Sequence, residues 1–126
     1  MIIKRYLQLN FLISAAMSIA FICFPKPGLA LYGISGDTTL YVIAQYFGAT
    51  HAAFAILLWL ALRKNQPQFL RMIVVSFFVG DTAGTLVLLI AQVRGLMDPS
   101  GWVLVGLCLF FAAGYAYGAF NKLPKS

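Results

Sequence analysis

The chain contains no glutamate; its three acidic residues are Asp37, Asp81 and Asp98, and His51 is its single histidine. Charged residues make up 10% of the 126 positions, whereas a soluble domain of average make-up carries about 25%. So few charges cannot cover a water-facing surface, which excludes an ordinary soluble globular protein. Cysteine is equally sparse. Cys23 and Cys108 each lie inside an apolar run with no C-x-x-C or Cys/His spacing, so they read as small buried thiols rather than zinc or iron–sulfur ligands. One histidine is too few for bis-histidine haem ligation, and no mid-span lysine exists to carry retinal in its usual linkage. No metal or cofactor is expected. A nucleic-acid partner is not expected either. The net charge is +6, but the Lys and Arg residues sit in short clusters between apolar runs, not on a stripe interleaved with aromatics.

What the chain does have is apolar length. Hydrophobic residues make up 62% of it, and the mean hydropathy is +0.90. Four runs, 6–24, 39–62, 69–91 and 102–120, approach or exceed the roughly 20 residues that span a bilayer as a helix. None shows the period-two alternation of a membrane barrel strand. The expectation is a single all-α domain over 1–126: an integral membrane four-helix bundle with short loops, its main partner the lipid bilayer. Lys4 and Arg5, the following apolar run and Gly28-Leu29-Ala30 resemble a signal peptide, but the run from Tyr6 is long enough to span, so it is read as a first span doubling as an uncleaved signal.

Local signals punctuate the runs. Pro25-Lys26-Pro27-Gly28 stops the first helix, because proline lacks an N–H and clashes with the preceding turn. Asp37 can cap the second helix, Pro67 suits the first turn of the third, and Asp98-Pro99 reads as the opening of the fourth. The loop 28–36 is itself apolar, suiting either an interfacial segment or a lid folded over the bundle. Gly28-Leu29 with Ser35-Gly36, and Gly95-Leu96 with Ser100-Gly101, suggest a faint parallel repeat of two halves.

Seven basic residues (Lys4, Arg5, Arg63, Lys64, Arg71, Lys122, Lys125) fall on one side of a four-span arrangement, and Lys26 and Arg94 on the other. The positive-inside rule then puts both termini and the second loop in the cytoplasm. Tyr6, Trp59, Tyr115 and Tyr117 are expected at the inner boundary, and Tyr32, Tyr41 and Trp102 at the outer one. Every span carries small or polar residues at four-residue steps: Asn10, Ser14, Ser18; Ala44, Gly48, Ala52; Ser76, Gly80, Gly84; and Gly114, Gly118. Such stripes let helices approach in lipid. The third-span stripe is expected to pack internally, and Gly114-x-x-x-Gly118 to face outward for a homo-oligomer or a larger membrane complex.

Two ionisable residues lie far from any loop. His51 is twelve residues before Arg63, and Asp81 ten residues after Arg71, so on antiparallel neighbours their depths agree within a few ångström at about 1.5 Å per residue. Ionisable side chains in lipid usually face the bundle interior and often mark function. Thr85 and Gln92 share a face with Asp81, while Gln45 and Tyr46 lie toward the outer half of the second span. A ligand-binding or proton-relay site of His51, Asp81, Thr85, Gln45 and Tyr46 is the resulting expectation, with His51 and Asp81 in contact. The alternatives are an accessory subunit whose His51–Asp81 pair is only a structural lock, and a lipid- or quinone-linked enzyme using the pair as acid and base. The last lacks an accompanying nucleophile, metal cluster or phosphate-binding loop.

Pro25 with Leu31-Tyr32-Gly33-Ile34, Phe47-Gly48-Ala49, Gly80-Asp81 and Gly101-Trp102 together resemble the small four-helix bacterial membrane proteins of the DoxX-like kind. That resemblance covers most of the chain and implies the same four-span fold, placed in a bacterial inner membrane. Some of those relatives are associated with quinone-linked redox chemistry, but no motif here carries that activity over. The chain is also similar in size to small multidrug-resistance transporters, yet it lacks the first-helix glutamate on which those depend.

Overall fold

The computed structural model describes residues 2–121; Lys122 and Lys125, counted above for orientation, lie outside the described residues. Five helices follow one another: α1 (Ile2–Cys23), α2 (Pro25–Ala30), α3 (Thr38–Lys64), α4 (Pro67–Val93) and α5 (Gly101–Asn121). All but α2 are long and apolar enough to cross a membrane. Each covers its expected run and extends it by one to four residues, except that α1 ends one residue short of Phe24. The fold is an all-α four-helix membrane bundle.

The helix ends follow their local chemistry. α1 stops at Cys23, and Phe24 turns out of the helix with φ −133° and ψ 63°. The prolines that stop α1 then start α2, because proline is suited to a first turn whose N–H groups have no helical partner. Asp37 caps α3 as expected, accepting from the Leu40 N–H at 3.1 Å. Asn65 ends α3 in the left-handed region at φ 49°, and Pro67 opens α4. Before α5 it is the Asp98 main-chain carbonyl, accepting from the Gly101 N–H at 2.8 Å, that starts the turn.

The two halves share one turn, in a different register from the repeat the sequence suggests. Gly33 and Gly95 both have positive φ, 64° and 69°. Each donates to the carbonyl three residues back, and the following residue donates to the carbonyl five back: Gly33 to Ala30 and Ile34 to Leu29, Gly95 to Gln92 and Leu96 to Ala91. These are two copies of one helix-ending turn, which needs the left-handed conformation that glycine adopts without strain. The true match is Gly33-Ile34 with Gly95-Leu96.

Packing is by pairs. α1 lies along α3, and α4 along α5, whereas the two pairs meet more sparingly and no backbone contact joins α1 to α4 or α3 to α5. The α1–α3 seam needs Gly48: a Cβ there would stand 2.9 Å from Phe21 Cβ and 3.0 Å from the Ile22 main-chain nitrogen. The pairs converge at the end carrying Lys4, Arg5, Arg63, Lys64 and Arg71, here called the basic end. Ile3, Leu7, Leu58, Ala61, Leu70, Ile73, Val74, Phe111 and Tyr115 form a core there from all four long helices. Arg63 lies over the Trp59 ring at 5.2 Å, as suits a membrane boundary. Tyr115, expected at that boundary, is instead fully buried in this core.

At the far end the apolar loop folds back over the bundle. Leu29 is buried, Tyr32 packs on Phe21 with ring centroids 5.6 Å apart, and Gly33 lies so close to Asp98 that a Cβ would run into its main chain. The loops of the two pairs therefore touch, joining them at both ends.

The two glycine stripes have exchanged the roles expected of them. Gly114 and Gly118 are buried, closing α5 onto Tyr6 and Ile3 of α1. Gly80 and Gly84 have nothing within 4 Å of an added Cβ. Spacing identifies a face but not its azimuth. The bulk of Tyr6 and Ile3 requires glycine opposite, whereas α4 stands away from its neighbour at Gly80 and Gly84.

A polar interior between the helix pairs

Between the basic-end core and the far-end loops, one face of each long helix turns toward the bundle axis. From α4 come Phe77, Asp81, Thr85 and Leu88, in line with core residues Leu70 and Val74. From α3 come Phe47, His51 and Phe54, in line with core residue Leu58. Asn10 and Ser14 belong to the corresponding face of α1, and Cys108, Ala112 and Tyr115 to that of α5. Phe47 and Phe54 remain 41% and 39% exposed although they share the line of Leu58, which is 0% exposed. Above the core the pairs thus pack less closely and leave these α3 rings partly uncovered, a gap in the packing.

Hydrogen bonds order the floor of this gap. Asn10 Nδ2 donates to the Tyr115 hydroxyl at 2.7 Å, and the Ser14 hydroxyl donates to Asn10 Oδ1 at 3.1 Å. In lipid such groups must find partners within the protein. Rings continue the floor: Phe54 packs on Phe77 at 5.5 Å and Phe77 on Tyr115 at 5.8 Å. A further run of rings climbs α3, from Phe54 to His51 at 5.7 Å and from His51 to Phe47 at 4.3 Å.

Asp81 stands one turn above Phe77 and within electrostatic reach of Cys108 and Tyr115 on α5. Its Oδ2 is enclosed and has no hydrogen-bond partner. Thr85, expected beside it, donates its hydroxyl to the Asp81 main-chain carbonyl at 2.6 Å and so is spent within the helix. His51 Nδ1 lies 3.0 Å from the Phe47 carbonyl. A carbonyl only accepts, so in this contact Nδ1 carries the proton and Nε2 is left without a hydrogen bond among the described residues. Among the described residues, no hydrogen bond or ion pair joins His51 to Asp81, so the expected pairing is not made.

Two other expected site residues lie elsewhere. Tyr46 is 76% exposed and points away from the bundle. Gln45 is exposed and donates to the Ile22 carbonyl at 3.1 Å, clasping α3 to the end of α1 where the Phe24 break interrupts the helical ladder. Gln92 closes the α4–α5 turn by donating to the Asp98 carbonyl at 3.0 Å, and Gly101 leaves room for its side chain. Tyr32, outside the spans, reaches toward Cys108 from the covering loop; burial, with Cys108 adding to it, pushes its hydroxyl up to about 12. Cys108, Tyr115 and the rings of Phe47, Phe54 and Phe77 are interior residues the sequence reading did not assign to the site. The helical spacing of Phe47, His51 and Phe54, and of Phe77 and Asp81, was the available signal. Among the described residues, His, Cys, Asp and Glu side chains nowhere gather in threes as a metal ion would need.

The fold and this interior define the class: a multi-pass α-helical membrane protein with ionisable groups facing inward between two helix pairs. Compared with protein-family models, with curated proteins and with solved structures, the chain gives no match in any of the three.

Proposed function

We propose that the protein is a binding protein of a bacterial inner membrane, both termini cytoplasmic, whose interior holds a small ligand at Asp81 and His51. The observation that carries this reading is the enclosed, unpartnered carboxylate oxygen of Asp81 at the level where the helix pairs part. An ionisable group in lipid without a protein partner costs stability and is retained for use rather than for folding. His51 adds a second unspent group, since its Nδ1 is committed to the Phe47 carbonyl. Thr85 supports Asp81 through the backbone. The same groups could pass a proton, and binding and relay share one requirement, namely that the gap be open to something other than protein.

The test separates this from a structural lock. Asp81→Leu and His51→Leu are expected to unfold in detergent at temperatures equal to or above that of the unsubstituted protein, because Asp81 Oδ2 has no partner and the His51 ring bonds only the Phe47 carbonyl one turn back in its own helix. A loss of several degrees for either would make the residue structural and end this reading.

A second reading has its own observation. α4 has an uncovered flank at Ser76, Gly80 and Gly84, with nothing near the glycines, and a flank of that kind suits a second copy or a helix of a larger complex. Cross-linking in membranes from cysteines placed at Ser76 distinguishes it: dimers through this flank support association.

A further inference from the structure

We propose that the interior site takes a lipid-soluble organic cation, with Asp81 as its counter-ion and the rings beneath as its seat. This rests on the binding reading above and adds the class of ligand. The charges of the chain argue for it first. Lys4, Arg5, Arg63, Lys64 and Arg71 are at the basic end, Lys26 and Arg94 at the far end, and no cation lies between them along the described spans. The carboxylate therefore has no protein counter-charge, and its Oδ2 no donor of any kind. In a low-dielectric setting an unpaired carboxylate is costly and the attraction of an arriving cation is large.

The surroundings select for the same sign. Phe54, Phe77 and Tyr115 form a continuous ring surface one turn below Asp81, and ring faces carry the negative end of the aromatic quadrupole. The groups that come within electrostatic reach of Asp81 from another element, Cys108 and the Tyr115 hydroxyl of α5, carry no positive charge. An anion would meet repulsion with no compensating donor cluster, and a neutral apolar molecule would leave the carboxylate unpaired. The way in fits as well. Gly80 and Gly84 leave the flank of α4 bare beside the gap, while the far end is covered by the touching loops and the basic end is filled by the core. A ligand thus arrives sideways from the bilayer and must dissolve in it.

The experiment uses two probes of one shape, benzyltrimethylammonium and its uncharged carbon isostere neopentylbenzene, with the full chain in lipid nanodiscs and empty nanodiscs as the blank. Benzyltrimethylammonium should bind saturably and at least tenfold more tightly than neopentylbenzene. Asp81→Asn should lose at least tenfold for the ammonium alone, Asp81→Glu should keep most of the affinity, and Phe77→Leu should weaken it, with thermal unfolding showing each variant folded. Equal affinity for the two probes, or undiminished ammonium binding by Asp81→Asn, overturns the cation assignment. Binding of the neutral isostere alone would do the same while leaving the binding reading intact. Binding of neither probe overturns the assignment too, and the leucine variants then decide the binding reading separately.

Discussion

Asn10 and Tyr115 face each other in the bundle at 2.7 Å, both of them buried. Asn10 donates with one hand and, through Ser14, accepts with the other, so removing the tyrosine hydroxyl leaves an amide donor stranded. Tyr115→Phe is expected to cost about 1–2 kcal/mol in reversible unfolding from detergent micelles, and Asn10→Leu added to it should cost less than the two singles summed. Simple additivity would show that the bond contributes nothing. His51 and Asp81 present the opposite case. With no bond between them among the described residues, their single substitutions should combine within about 0.5 kcal/mol. Their matched depth was legible from residue counting. Their lack of contact was not, because rotation of each helix about its axis is decided by packing elsewhere, at Gly48 on α3 and at the α4–α5 seam.

Helices that look alike in sequence are used differently. Gly80→Leu on α4 is expected to leave thermal stability within error, since nothing lies within 4 Å of its missing side chain. Gly114→Ala on α5 should cost about 1–3 kcal/mol by overpacking, because its methyl would enter the Tyr6 ring. That ring is itself held by Phe110 at 5.0 Å and Phe111 at 6.3 Å. A melting comparison of the two variants in one detergent checks both; a destabilised Gly80→Leu would place a neighbour against α4. At this scale the sequence was read well for helix existence and for most ends. Cap and proline signals act within a turn or two and need no partner, as Asp37, Pro25 and Pro67 show. It was read poorly for which stripe closes the bundle, because that depends on what another helix brings opposite.

For the molecule as a whole, the proposed orientation rests on charge and is open to a direct test. Single cysteines at Asp37 and Asp98, in a background with Cys23 and Cys108 replaced by serine, should react with an impermeant maleimide added to intact cells, and one at Asn65 should not. Reaction at Asn65 would invert the arrangement. The loop 28–36 belongs to this scale too. Its apolar residues suited either the bilayer surface or the bundle, and Tyr32 on Phe21 with Gly33 against Asp98 gives the second.

The number of spans, most of their ends and the presence of two ionisable groups deep in adjacent spans were written in the sequence, because they depend on hydropathy, proline and spacing along one chain. The pairing of α1 with α3 and of α4 with α5, the inward place of Gly114 and Tyr115, and the want of a bond between Asp81 and His51 were decided only in the tertiary structure. They follow from how bulky and small residues on different helices meet, and in lipid that fit of surfaces is what brings helices together.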